Sequence, residues 1–353
     1  MTTRREFLAG LAAMLGMPAW ANAIAADESI CLAASWQTDH GYQVGILEHA
    51  EGLSIHAAID VPTRAHALLR EPGGTLLAVA RRPGDWLLRW DQHGTPIAWR
   101  WIEPRRAFTG HVIRNGDTLY ISETDLDTGA GLIGVRDAVT LEKRAEWPTH
   151  GIDPHQLAWD AAGNILVANG GVPTQPETGR VKRNLEKMDS SLVRLNTRSG
   201  ELLGQWRLDD RRLSLRHLAW SGEVLGIALQ AEHDDAIAKV AAPVLALFDG
   251  AHLKTQYAPE NLAGYAGDIA PTSTGFAVSC PRAQGIALFS AKGDWLGFSP
   301  LAEACALAAT PDRLWAGGRL QALAMTTDRQ DAHASLPGIR LDNHWIRLAG
   351  SQV

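Results

Sequence analysis

One strand–turn–strand unit recurs along this chain, and no other feature restricts its fold as much. The clearest copy is the apolar run Leu157-Ala158-Trp159, a turn from Asp160 to Asn164, and a second apolar run, Ile165-Leu166-Val167-Ala168. Short apolar runs around an Asp/Gly/Asn turn predict a β-hairpin. Five further copies follow the same plan and begin at His66, His111, His217, Asp268 and Cys305. A seventh copy is divided. His344-Trp345-Ile346-Arg347-Leu348 near the C-terminus reads as a first strand, and Cys31-Leu32-Ala33-Ala34 near the N-terminus reads as its second.

Two more strand-like runs follow each hairpin, as in Ser191-Leu192-Val193-Arg194-Leu195 and Leu202-Leu203-Gly204-Gln205-Trp206. Four short strands in each repeat of roughly 40–50 residues is the propeller pattern. The expected fold is therefore all-β: a seven-bladed β-propeller with one blade closed by pairing of N- and C-terminal strands, which removes the open edge. A pair of β-sandwiches would leave the recurring hairpin unexplained. The thirteen tryptophans suit such a fold by supplying large side chains for its interior.

In a propeller the first strand of each blade lines a central channel. The residues entering these strands are, in repeat order, His344, His66, His111, His155, His217, Asp268 and Cys305. Every one ligates metals or titrates, and five are histidines in a chain with 13 histidines among 353 residues. His66, His111, His155, His217, His344 and Asp268 are accordingly candidate metal ligands. Imidazole suits iron, copper, zinc and nickel, and a neighbouring carboxylate favours iron. Residues ending the second strands, and the loop before His155, are expected on the same face. They supply Glu123, His150, Asp153, Asn169, Gln230 and Cys305 as supporting or pocket residues, together with Arg81, Arg82 and Asp125. Glu123, Asp125 and Asp153 are expected to accept hydrogen bonds from the imidazoles. The competing reading is structural: a Gly-His pair before an inner strand, as in Gly110-His111, ties a loop to its neighbour. Histidines this close cannot all carry charge together, so such a ring should respond to pH between about 5 and 8.

The N-terminus reads as a targeting segment. Thr3-Arg4-Arg5-Glu6-Phe7-Leu8 has the twin-arginine pattern, an apolar stretch runs from Phe7 to Met17, and Ala21-Asn22-Ala23 is an A-x-A cleavage site. Residues 1–23 are thus expected to be a twin-arginine signal peptide, and residues 24–353 a single periplasmic propeller domain. No later stretch is apolar enough to span a membrane. Twin-arginine export carries folded proteins, often with a cofactor inserted. Net charge is −6 at pH 7 with no basic stripe, which argues against nucleic acid as a partner.

Three cysteines are too few for a disulfide framework. Cys280 and Cys305 are expected on neighbouring blades at the same face. They would form a disulfide, which an oxidising compartment favours, or leave Cys305 as a soft ligand. Cys31 reads as a buried structural thiol. Residues 171–189 form the longest insertion, between the second and third strands of one blade. Its Arg180, Lys182, Arg183 and Lys187 read as a solvated loop, or as a docking surface or anion clamp. Gly-x-Ser-x-Gly, His-Glu-x-x-His and Cys-x-x-Cys-His are all absent, so no catalytic residue is assigned.

Several stretches carry a family resemblance. They are Gly110-His111, Leu119-Tyr120-Ile121-Ser122-Glu123, Gly131 to Ala138, Pro148-Thr149-His150-Gly151-Ile152-Asp153-Pro154-His155, Val167-Ala168-Asn169-Gly170-Gly171 and Leu215-Arg216-His217-Leu218-Ala219. In these the chain resembles the DUF1513 family of exported bacterial proteins, which has no established activity. Asp153 stands where Gly is common in that family. Such proteins are often encoded beside imelysin-like and di-haem peroxidase-like proteins. The resemblance therefore implies a periplasmic iron-uptake or metal-handling system, with those proteins as partners. Three functions compete at this point. One is a metal-binding protein, iron- or copper-related, using the histidine ring. Another is a protein-interaction scaffold with structural histidines. The third is a metal-dependent, lactonase-like hydrolase.

Overall fold

Turn chemistry sets the strand ends. In the clearest hairpin, Asp160 Oδ1 accepts hydrogen bonds from the backbone N–H groups of Ala162 (2.9 Å) and Asn164 (2.8 Å). This Asx turn delivers the chain into Ile165–Asn169, antiparallel to Pro154–Trp159. Asp91 and Asp137 serve two other blades in the same way, and Asn196 serves a later turn of the same blade.

A computed structural model describes residues 30–49, 52–173, 184–310, 312–326, 330–334 and 336–348. Its strands form seven antiparallel sheets. Six blades take their four strands in chain order, with inner strands Ala65–Arg70, Arg106–Asn115, Pro154–Trp159, Leu213–Ser221, Asp268–Pro271 and Ala306–Ala309. We number these blades one to six. The seventh is closed from both ends of the chain: Ile346–Leu348 pairs with Ile30–Thr38 through Cys31↔Leu348 and Ala33↔Ile346. A further short strand, Ile339–Leu341, adds to the same edge at Trp36↔Leu341. Each inner strand touches the next, and Ile346–Leu348 touches both Ala306–Ala309 and Ala65–Arg70, so the ring is complete.

The core divides accordingly. Seven apolar clusters occur, one at each blade–blade interface. Leu77, Val79 and Leu87 of blade one meet Phe108 and Ile121 of blade two, for example. Trp36, Trp86 and Trp90 are fully buried in such interfaces. Alternation along the inner strands puts one set of side chains into these interfaces and leaves the other set for the channel.

The expected signal peptide, residues 1–23, lies outside the described residues. So do residues 174–183 of the insertion, with Arg180, Lys182 and Arg183. The insertion does fall between the second and third strands of blade three. Its far end is anchored by buried Met188 and by Asp189, which pairs with Arg207 (2.8 Å). Among the described residues no helix is long and apolar enough to cross a membrane.

Candidate functional site

The histidines sit where the inner strands break register. In blade one, Ala65↔Ala80 is followed by Leu68↔Ala78, so His66 and Ala67 oppose a single residue. Blade two has a wider fault between Phe108 and Val112, where Thr109, Gly110 and His111 oppose Ser122 alone. Blade three repeats the fault of blade one between Pro154 and Leu157, around His155, and blade four between Leu215 and Leu218, around His217. In the closing blade His344 lies in the gap between Ile339–Leu341 and Ile346–Leu348, with φ 62°. The inner strands of blades five and six pair with their neighbours in unbroken register and carry no histidine at this level. A bulge re-aims the side chain it carries, and here five bulges or gaps aim five imidazoles at the channel axis.

The freed backbone groups find side-chain partners. Ser122 Oγ accepts from the His111 N–H (3.2 Å), and Gln156 Oε1 accepts from the Leu218 N–H (2.8 Å). Close approach needs one glycine: at Gly110, φ 111°, a Cβ would lie 2.5 Å from His66 Cδ2.

Together the imidazoles form a compact cluster in which non-adjacent rings are also close, with centroids 5.1 Å apart for His66–His155 and His111–His344 and 5.3 Å for His111–His217. Ring centroids are 4.7 Å apart for His66–His111 and His111–His155, 4.6 Å for His155–His217, 4.5 Å for His217–His344 and 4.6 Å for His344–His66. The Nε2 atoms of His66, His155 and His217 converge, 3.4 Å apart for the first pair and 2.9 Å for the second. One potential ligand atom from each of His66, His111, His155 and His217 lies within 4.8 Å of the others. Nε2 of His111 and Nε2 of His344 are buried with no hydrogen-bond partner among the described residues. His344 Nδ1 faces Asp268 Oδ2 at 3.1 Å, and Asp268 also accepts from the Ile269 and Leu307 N–H groups.

Burial holds the imidazoles of His66, His111, His155 and His217 well below their ordinary value of 6.5; the neighbouring imidazoles lower them further, and so do Arg82 and Arg216. At neutral pH these four rings are uncharged and offer lone pairs. Two cavities meet the cluster. One, of about 140 Å³, opens at the mouth and has His66, His155 and His217 on its floor. The other, of about 200 Å³, lies along the inner strands below His111, His344 and Asp268. The histidines therefore divide the channel.

Residues 59–348 match the family model described as a protein of unknown function, DUF1513. The chain belongs to the DUF1513 family. No curated protein matches it. Among solved structures, a putative 6-phosphogluconolactonase from Bacteroides uniformis is 13% identical, with a TM-score of 0.55 over 90% of this chain and 100% of that one. The nidogen/laminin complex holds a chain 11% identical, with a TM-score of 0.50 over 90% of this chain and 98% of that one. At such identities the likeness is one of fold.

Within this DUF1513 propeller the six candidate ligands, His66, His111, His155, His217, His344 and Asp268, do come together. The expected supporting residues divide. Gln230 and Cys305 line the mouth cavity. Glu123 does not accept from an imidazole. It lies buried under Arg136 (2.9 Å) and Lys143 (2.6 Å), because its strand position turns it into the sheet of blade two. Asp125 pairs with Arg106 (3.0 Å). His150 is exposed, and its carbonyl accepts from Gln205 (3.1 Å). Asn169 is buried but binds Thr149 O (2.9 Å) and Ser191 Oγ (3.4 Å), tying blade three to the preceding strand. Asp153 pairs with Arg82, and with Arg216 at 2.8 Å, so it acts on the guanidinium groups that border the imidazoles. It is the single residue between strands Lys143–Ile152 and Pro154–Trp159, with φ 53°, a conformation that glycine adopts without strain.

The expected Cys280–Cys305 disulfide is not formed, since all three cysteines are free. Burial pushes the Cys280 thiol up to about 12 and raises Cys305 as well, so neither is a thiolate at neutral pH. Cys31 is half-buried against the apolar cluster between blades seven and one. Sequence reasoning missed Arg64, Arg216, Tyr265 and Asn343. Arg216 and Asn343 each adjoin a cluster histidine in the chain, which was the available signal.

Proposed function

We propose that the histidine cluster binds a transition-metal ion, iron or copper, and that the protein serves metal handling in the periplasm. The observation that carries this is the set of buried imidazole nitrogens, three converging and two without partners. Ligands about 2.0–2.1 Å from one ion lie about 2.9 Å apart at an octahedral edge and about 3.4 Å apart at a tetrahedral one. The two Nε2 separations in the cluster fall within that span, which neutral rings sharing a hydrogen bond also adopt. A buried polar atom left without a partner costs about 1–3 kcal/mol, which a bound ion would relieve. Asp268, facing His344 Nδ1, would orient that ring and leave its Nε2 as the donor. An all-imidazole set without thiolate suits borderline ions such as Fe(II), Cu(II) and Zn(II).

Export is supported by the twin-arginine pattern at residues 1–23, and an iron-uptake setting with imelysin-like and di-haem peroxidase-like partners by the family. A hydrolytic role finds less support. Among the described residues no carboxylate lines the mouth cavity, and the imidazoles that do line it are the ones assigned to the ion, which leaves no separate carboxylate base for a metal-bound water.

Elemental mass spectrometry of protein exported from its cells tests the reading. Wild type should carry near-stoichiometric iron or copper, and His155→Ala/His217→Ala should carry little while keeping its far-UV circular dichroism. Wild type that stays metal-free after incubation with iron, copper and zinc would end the proposal. Gly110→Ala should weaken the metal roughly 10–100-fold by displacing His66, as loss of an orienting neighbour does elsewhere. A competition titration with a chromogenic chelator reads that change, and unchanged affinity would show that His66 is not a ligand.

A further inference from the structure

The mouth cavity above the histidines carries charge that the metal site does not use. Arg64, Arg81 and Arg82 line it, and among the described residues no carboxylate does. Arg64 is bound by Asp342 and Arg82 by Asp153, but both carboxylates stand outside the lining, and Asp153 is shared with buried Arg216. Arg64 and Arg82 are thus engaged by carboxylates that stand outside the cavity, and the described lining adds none of its own. Glu232, close to Arg216, is itself paired with Lys239 at 3.7 Å. The Arg81 side chain has no ion pair or hydrogen bond among the described residues. Asp268, the remaining carboxylate of the cluster, lines the lower cavity instead.

Positive charge that is partly buried and unbalanced is unfavourable unless an anion meets it. The imbalance grows once a cation sits among neutral imidazoles on the cavity floor. Guanidinium forks match the paired oxygens of carboxylates and phosphates. The volume of about 140 Å³ equals the share of roughly five water molecules, which fits phosphate or a small dicarboxylate.

We propose that this cavity binds a small oxyanion with two or more negative charges, held by Arg81 with Arg64 and Arg82, and placed to complete the coordination of the ion below. The inference rests on the metal reading for that last part, while the arginine site itself does not need the metal. Ion and anion would then bind cooperatively, each offsetting the charge that opposes the other.

Isothermal titration of inorganic phosphate and of malonate into metal-free and copper-loaded protein tests this. At least one anion should bind the metal-free protein. It should bind the loaded protein at least ten-fold more tightly, and lose at least ten-fold in Arg81→Gln, with Arg81→Lys intermediate because it keeps the charge without the fork. Which anion binds identifies the source of the oxygen ligands. If neither binds either form, or if Arg81→Gln has no effect in folded protein, the proposal is overturned. Binding to the metal-free protein with no gain on loading overturns the shared coordination. Metal content measured in anion-free buffer reports on the histidine site alone, so failure of one reading is told apart from failure of the other.

Discussion

Acidifying the metal-free protein from about pH 7 to about pH 5.5 should lower its stability, by up to about 5 kcal/mol. His66, His111, His155 and His217 are held uncharged in the fold, well below 6.5, and regain the ordinary value when the chain unfolds. The unfolded chain then binds more protons, so stability rises with pH. The contribution is fully present above about 6.5, and is lost as pH falls from there toward the depressed folded values. A ring that stays neutral throughout accounts for about 1.2 kcal/mol across that interval, and four such rings set the upper bound. Urea denaturation at a series of pH values reads the slope. His155→Ala/His217→Ala should show about half of it. A flat profile in wild type would mean that the rings charge inside the fold, contrary to their burial. Carboxylates act lower in the range: burial alone would raise Glu103, but hydrogen bonds from Arg136 and Lys143 bring it to about 2, so its contribution is lost only below about 4.5.

Replacing Arg136 with Met should cost about 3 kcal/mol and leave the metal content unchanged. Arg136 is fully buried in blade two, binds Glu123 (2.9 Å) and Glu103 (2.6 Å), and lies over the Phe108 ring at 5.1 Å. Its removal leaves the buried Glu123 carboxylate with Lys143 alone. A buried charge that loses a partner keeps its desolvation penalty, which is why the loss exceeds that of an exposed pair. Urea denaturation beside elemental analysis separates the two roles that Glu123 was given. A stability loss with full metal content places it in a structural network. Loss of metal without loss of stability would return it to the histidine site.

The blades were legible because their signals are local. Apolar runs of four or five residues around Asx and glycine turns state where each strand begins and ends, as at Asp160 and Asn196. The split blade was legible for the same reason: Cys31-Leu32-Ala33-Ala34 lacks a strand before it, and Ile346-Arg347-Leu348 lacks one after it. The five histidines stood out because the repeats aligned them. Glu123, His150 and Asn169 were misplaced because being near a strand end does not say which way a side chain turns. That direction depends on the pairing register, and a slip of one residue moves a side chain to the other face.

Sequence alone thus carries the seven-blade plan, the closure of the ring and the residue types at its axis, since these follow from short-range periodicity and turn chemistry. Three things arise only on assembly. The register faults at His66, His111, His155 and His217 appear when each inner strand pairs with its neighbour. The cluster has five rings because the inner strands of blades five and six contribute none, and Asp268 faces His344 from across that gap. The neutral state of the imidazoles, and the excess of arginine above them, come from burial and from ion pairs such as Asp153–Arg216, whose partners lie on different blades. Each depends on distances between segments far apart in the chain, and those distances are set by how the blades pack.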